Sequence, residues 1–476
     1  MFQLLNMSER EKIHQTGKQI LNEVGVVIHD ETVYDLLLEA GAVPDKSNSK
    51  RIYIPEKMIE TYLPLCPKSF KIKNRKNEET EVKNGGRSLY YTSNGTHYAR
   101  GTSKTAADIG EGQFTDFIRV ANKLEYVDGV VGVSIIEYIP ALRDVAGFRL
   151  MAQNSYKHLR PCIYTVNGAE TIIEIADVIL KGKSLRENMF FSLGYSVVSP
   201  LSWSDTSLQL FYRTRGHGIP MMINSEPMAG GTSPVTLAGS LALADAEVVS
   251  GIIINQVIEP GRPCIYNAGF AHVMDMMTAT VLTGSPENAL LQSAGAEMAA
   301  YHNLPCASWA LSDSAMLDGQ ASYEKMMTLT AHTMSGVNLI WGVGNLDFSK
   351  TISPEVAVID NEIIGCCKRF AKGIPVDDEQ LAFNVIKDTV LNLNGSFLET
   401  EHTLENYLDQ IRHTRLPNRQ VRHLWERNGS LSVEEKAEAV VNNILKEKSE
   451  AYLSGAQTEK LKHIEKRYAE RLNKKG

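Results

Sequence analysis

The chain has 476 residues, 43% hydrophobic and 22% charged, the proportions of a globular protein with room for one large domain plus appendages or for two or three smaller ones. A formal charge of −7, with no long basic run before the C-terminal tail, argues against nucleic acid or an anionic membrane surface as a partner. The N-terminus turns polar after five residues, too soon for a signal peptide. Six cysteines are scattered without C-x-x-C spacing, so reduced thiols in a cytoplasmic protein are expected, and no metal site.

Apolar residues at helical spacing (Ile13, Ile20, Leu21, Val24) predict a first helix over 9–24, stopped by Gly25. Two more are expected over 30–40 and 55–63, making residues 1–87 an N-terminal helical cap. From residue 88 the pattern changes to short β-rich runs, at 88–94, 130–138, 161–167, 189–198, 220–226, 263–270, 305–312 and 338–344. Helical patterns lie between them at 114–124, 204–216, 234–258, 286–301 and 323–335. Eight strands alternating with helices are the arrangement that closes an α/β fold of the (β/α)8 TIM-barrel type, placed at 88–375. Pro161, Pro220, Pro263 and Pro305 are each expected to open a strand, where no ladder donor is needed; the last three recur about every 42 residues.

Beyond a helix at 354–370, residues 376–476 are expected to form a helical extension packed on the barrel. It comprises a helix over 377–391, a segment rich in His, Arg and Asn over 401–429, a striped helix from Ser432, and a frayed surface helix at the end. The most apolar stretch, 248–258, is interrupted by Asn255 and Gln256 and is not expected to span a bilayer.

The stretch AGGTSPVTLAGSLALADAEVVSG, 229–251, carries a functional hint. Gly230 and Gly231 permit a tight turn after a strand, Ser233 is expected to cap the next helix, and Pro234 suits its first position. In a barrel this loop lies at the C-terminal face, where a helix N-terminus offers free N–H groups to an anion; plain capping is the other reading.

Several segments together resemble the trimethylamine methyltransferase superfamily: IHQTGKQILNEVGVVI, LLLEAGAVPD, IYIPEKMIE, the 229–251 stretch, SDSAMLDGQASYEKMMT, DNEIIGCCKRFAKGIPVDDEQLA and WERNG. They run in the family's order from about residue 8 to 448. The resemblance implies a TIM barrel and methyl transfer from amines to a corrinoid protein. No pyrrolysine occurs here, so the sequence looks like the non-pyrrolysine branch, which resembles demethylases of quaternary amines such as glycine betaine, proline betaine and carnitine. No catalytic role is carried over from the pyrrolysine position. By the same resemblance the chain holds no tightly bound cofactor, and cobalamin arrives on a cognate corrinoid protein. Homo-oligomerisation stays open, as do two other readings: a barrel lyase or hydrolase acting on a small carboxylate, and an inactive amine-binding member of the family.

A quaternary ammonium has no N–H to donate, so aromatic faces must hold it. Trp203, Trp309 and Trp341 lie at or just past predicted strand ends, as do Tyr91, Tyr164, Tyr195, Tyr266 and Phe270; of this set and its neighbours, Trp309, Trp341 and Tyr98 are the favoured cage. Glu226 is a candidate to balance the cation. For a betaine carboxylate the candidates are N–H groups near Thr232 and Ser233, His272, and His332, the last being alternatively a satisfied core histidine. Asp313 and Asp318 are expected to order their loop, cap its helix or face the substrate; Asn94 and Asn345 are turn formers first and corrin contacts second.

Overall fold

The structure is a computed structural model that describes residues 3–392 and 395–473. At its centre are eight parallel strands: β1 (Leu89–Thr92), β2 (Val127–Val131), β3 (His158–Arg160), β4 (Leu193–Ser196), β5 (Met221–Asn224), β6 (Cys264–Gly269), β7 (Cys306–Trp309) and β8 (Leu339–Val343). The hydrogen-bonded order β3-β2-β1-β8-β7-β6-β5-β4 closes on itself through a parallel bridge between Leu159 and Phe191. Main-chain bonds from Leu159 to Phe190 (2.9 Å) and from Ser192 to Leu159 (3.1 Å) seal that seam. Side chains alternate across each strand. One set meets the helices in the large outer core, and the other fills the barrel with a smaller cluster that includes Leu89, Tyr91, Val131, Met222, Ile265, Leu339 and Trp341.

The outer helices follow the strands: α1 (Glu111–Lys123), α2 (Arg143–Asn154), α3 (Val166–Leu180), α4 (Asp205–Arg213), α5 (Leu237–Ile258), α6 (Pro286–Tyr301), α7 (Gly319–Met334) and α8 (Pro354–Ala371). Helix α5 is long and apolar enough to cross a membrane, with a mean hydropathy of 1.7, yet 83% of that window is buried inside the molecule. The first helix of the chain, Met7–Gln19, lies along it, and its small residues permit close contact with the barrel. At Gly251 a Cβ would stand 2.4 Å from Ile223 Cγ2 and 2.6 Å from the Trp203 ring, so only glycine fits.

The N-terminal segment holds the three expected helices but also strands. Val26–Ile28 pairs with Arg51–Tyr53 and with Ser202–Trp203 after β4. A hairpin, Ser69–Lys73 with Glu79–Lys83, plugs the N-terminal end of the barrel with Phe70, Ile72 and Val82. Two strands start earlier than the sequence pattern suggests. The third is His158-Leu159-Arg160, whose polar side chains turn into the barrel and hide its β character. Pro161 therefore leaves that strand, whereas Pro220, Pro263 and Pro305 do precede theirs.

The C-terminal tail differs from expectation in one respect. Its final helix, Gly455–Asn473, is not frayed: Leu461, Ile464 and Tyr468 are buried, and Tyr468 Oη lies 2.8 Å from Thr165 Oγ1. Residues 474–476 of that segment lie outside the described residues. Helix Val433–Lys446 packs on α8 and α1 through Ala437 and Val441.

Candidate active site

The C-terminal end of the barrel brings together three aromatic rings from neighbouring strands. Trp309 ends β7, Trp341 lies in β8, and Phe270 follows β6. The indoles meet edge to face at 4.9 Å between centroids, and Phe270 lies 4.8 Å from Trp309 and 6.2 Å from Trp341. Arg160, the last residue of β3, places its guanidinium carbon 5.1 Å above the Trp341 ring. Room for it exists because Gly194 on β4 has no side chain; a Cβ there would lie 2.5 Å from the guanidinium.

The other side of the mouth is polar. Asn267 Nδ2 donates to Asn224 Oδ1 (2.9 Å), and above them Ser196 Oγ donates to Glu226 Oε1 (2.6 Å). Glu226 is reached by solvent yet surrounded by protein, as a side chain lining a recess must be. Burial raises its carboxyl pKa above the usual value, and the Ser196 bond offsets only part of that. Cys162 and Phe270 are likewise partly accessible in crowded surroundings.

The other expected site residues have different work. Trp203 is fully buried outside the barrel, donating to Ser250 Oγ (3.0 Å) against Phe211, so it is core. Tyr98 packs in the outer core near Arg100 and Glu355, its hydroxyl pushed up to about 12 by burial, and does not join the cage. Helix α5 begins at Leu237, with Thr236 before it, so Ser233 is not its cap; Ser233 Oγ pairs with Ser240 Oγ at 2.5 Å. The N–H groups of Thr232 and Ser233 both donate to the Met228 carbonyl and so cannot hold an anion.

His332 is the satisfied core histidine, bonded to Ser308 Oγ (2.7 Å) and the Thr328 carbonyl; burial takes it down to about 4, so it is neutral. His272, near the mouth, bonds Asn288 Oδ1 (3.1 Å) and is also held down to about 4 by burial, which leaves it no cationic role. Asp313 accepts from the backbone of Thr283 (2.8 Å) and Gly284 (3.1 Å), and Asp318 caps α7 at Ala321 (3.0 Å). Both order loops. Asn345 is fully buried, accepting from Ser312 N (3.0 Å), and is no surface contact; Asn94 accepts from Ser349 Oγ (2.6 Å) at the rim.

Arg160 is the residue not assigned from sequence, whereas Phe270 is among the aromatic residues expected at strand ends. Arg160 went unassigned because the strand carrying it reads as polar loop before Pro161. Far from the mouth, His14, Asp245 and His302 converge between the first helix, α5 and the end of α6, with Asp245 accepting from both histidines (3.0 and 2.9 Å) and from Tyr266 Oη (2.7 Å). Their ligand atoms lie within 4.8 Å of one another, a spacing that a metal could use, but each is spent on hydrogen bonds that clamp the first helix to the barrel. A recess of about 710 Å³ opens at the opposite end of the barrel, lined by Lys73, Glu79, Arg87, Asp128 and Lys157. It lies at the wrong end of the strands for barrel chemistry.

The sequence pattern of a family described as Trimethylamine methyltransferase (MTTB) matches residues 1–471. The glycine betaine methyltransferase of Desulfitobacterium hafniense (strain Y51) is 28% identical over 449 residues, covering 93% of this chain and 92% of its own. The trimethylamine methyltransferase MttB of Methanosarcina barkeri (strain Fusaro / DSM 804) is 29% identical over 461 residues, covering 93% and 90%. Among solved structures, the monomethylamine methyltransferase MtmB of Methanosarcina barkeri superposes with a TM-score of 0.56 at 13% identity, covering 93% of this chain and 88% of that one. That likeness carries the fold.

Proposed function

Since the chain belongs to the trimethylamine methyltransferase family, we propose that this enzyme moves a methyl group from a quaternary amine of the betaine type to the cobalt of a corrinoid carried by a separate protein. The observation that carries the reading is the aromatic trio of Phe270, Trp309 and Trp341 at the barrel mouth, with the Glu226 carboxylate on the opposite wall. Each aromatic face contributes about 0.5–2 kcal/mol to holding a cation that has no hydrogen to donate. The glycine betaine methyltransferase among the relatives supports the same substrate class.

The chemistry suits a site built for positioning. The N–CH3 bond breaks and its electron pair stays on nitrogen, which leaves as a neutral tertiary amine, while the acceptor supplies the pair for the new bond to carbon. No proton moves, so neither Glu226 nor His272 is asked to be an acid or base. The residues hold the ammonium, exclude water and point one methyl outward; alignment of this kind contributes up to about 7–11 kcal/mol of the barrier. In this reading cobalamin is an acceptor substrate, and the chain needs no resident cofactor.

Five successive loops around the mouth each present an exposed apolar residue: Ile139, Tyr164, Val198, Val235 and the tip residue Met277, which is 95% exposed. A ring of this kind suits transient docking of a partner over the opening. Arg369, near the C-terminal end of α8, holds the Gln410 carbonyl (3.0 Å), which ties the first part of the 401–429 segment to the barrel end away from the mouth. A cytoplasmic location fits the reading.

The test is anaerobic mixing of the protein with reduced cobalamin and one amine at a time, followed by visible absorbance. Methylation with a betaine and none with trimethylamine is expected. Silence with every quaternary amine, with free and with partner-bound corrinoid, would overturn the proposal.

A further inference from the structure

Arg160 is a buried cation with no carboxylate beside it among the described residues. It is 7% exposed, and its two terminal nitrogens donate to backbone carbonyls, Pro161 (2.7 Å) and Gly194 (3.1 Å). Its Nε has no protein partner among the described residues, and the charged or titratable groups that act on it are Cys162 and Tyr195, neither an anion at neutral pH. The two indoles beside it are in the same condition: Trp309 Nε1 and Trp341 Nε1 are buried donors without an acceptor. A buried donor left unmatched costs about 1–3 kcal/mol, and a buried charge costs more. Three such donors, linked by the 5.1 Å and 4.9 Å contacts through Trp341, form one electropositive patch inside the barrel.

The patch lies deeper than Glu226. Arg160 bonds the carbonyl of Gly194, and Glu226 bonds the side chain of Ser196, two residues further along β4 toward the mouth. At the strand rise this is roughly 7 Å, with the cation below and the anion above. A molecule that complements both has a negative end pointing down and a positive end pointing up.

We infer that Arg160, with the N–H groups of Trp309 and Trp341, forms a carboxylate subsite that makes the enzyme select short zwitterions over simple quaternary ammonium ions. This rests on the proposed quaternary-amine reading and adds an orientation to it: carboxylate toward the Arg160 guanidinium and the indole N–H edges, ammonium against the ring faces of Phe270 and Trp309 and beneath Glu226, methyl groups toward the opening. Arg160 acts here as a specificity residue, holding the non-reacting end of the substrate.

The experiment is calorimetric binding to the full chain of three probes: N,N,N-trimethylglycine, tetramethylammonium, and 3,3-dimethylbutanoate, the uncharged-head isostere that keeps only the carboxylate. The wild type is expected to bind trimethylglycine about thirtyfold more tightly than tetramethylammonium, the worth of charge-assisted hydrogen bonds. Arg160→Gln should bind tetramethylammonium as the wild type does, lose the preference, and lose 3,3-dimethylbutanoate. Arg160→Lys, checked for folding by circular dichroism alongside, should retain a reduced preference; if only this variant folds, an undiminished preference overturns the inference. A preference that survives Arg160→Gln, or a wild type that ignores 3,3-dimethylbutanoate, also overturns it. Arg160-dependent binding of 3,3-dimethylbutanoate without any binding of tetramethylammonium would keep the subsite and sink the quaternary-amine reading instead.

Discussion

Replacing Asp245 by asparagine should unfasten the first helix of the chain. Asp245 sits fully buried on α5 and accepts three hydrogen bonds, from His14 Nδ1 (3.0 Å), His302 Nε2 (2.9 Å) and Tyr266 Oη (2.7 Å). Burial alone would raise its pKa; His302 and His14 outweigh that and leave the carboxyl well below its usual range. A depressed carboxyl pKa means the stabilisation is present above the unfolded value, about 3.9, and is lost only as pH falls through the native one. At neutral pH the full contribution is in place. Asparagine offers one oxygen where two accepted and turns an NH2 toward a donor. Breaking a buried pair in this way costs about 3–5 kcal/mol, a large share of a typical total of about 5–15. The assay is denaturant unfolding followed by far-UV circular dichroism, with limited proteolysis reporting release of residues 7–24. A loss under about 1 kcal/mol, or unchanged protection of the first helix, would refute the argument.

Trp309→Leu should weaken tetramethylammonium binding about tenfold while leaving the fold intact, measured by calorimetry. Ammonium affinity should fall as pH drops through a midpoint above 4.5, because burial raises the Glu226 pKa; Glu226→Gln should flatten that profile. Because the native state holds that proton more tightly than the unfolded chain, the same substitution should raise the melting temperature above the midpoint. Met277→Glu with Val235→Glu should slow transfer to a partner-borne corrinoid by about tenfold or more and leave transfer to free cobalamin unchanged, since both residues lie on the rim and touch no substrate. Beyond α8, Ile374, Leu398, Leu404 and Leu408 are all more than 70% exposed, and Leu404 and Leu408 lie one turn apart on the helix Glu401–Gln410, where contact with a second copy would cover them. Leu404→Glu with Leu408→Glu should lower the mass measured by light scattering.

The barrel was legible because its strands announce themselves. Buried runs such as Leu339–Val343 are apolar on both faces, and Pro220, Pro263 and Pro305 mark where three of them begin. The exception is instructive: His158-Leu159-Arg160 carries the working arginine inward, so functional chemistry erased the β signature of the strand that bears it. Trp309 and Trp341 could be picked out as tryptophans at strand ends, but Trp203 and Tyr98 share that signature and face the outer core. Trp203 and Tyr98 lie beyond the barrel strands, in short strands that pair with Val26–Ile28 and Thr351–Ile352, so neither reaches the barrel interior. Ser233 and Pro234 look like a helix start, yet the loop spends two N–H groups on the Met228 carbonyl before α5 begins at Leu237. The His14–Asp245–His302 clamp joins residues 231 and 57 positions apart and leaves no local trace.

The claim at the centre of this account is that a methyl group leaves a quaternary nitrogen for cobalt. A betaine carrying 13C in its N-methyl groups, mixed anaerobically with the enzyme and its reduced corrinoid acceptor and followed by NMR, tests it atom by atom. The account predicts that one labelled carbon per substrate moves to the acceptor as an equal amount of the demethylated tertiary amine forms. Label that stays on nitrogen while another bond of the substrate breaks, or that never moves with any betaine, would contradict it.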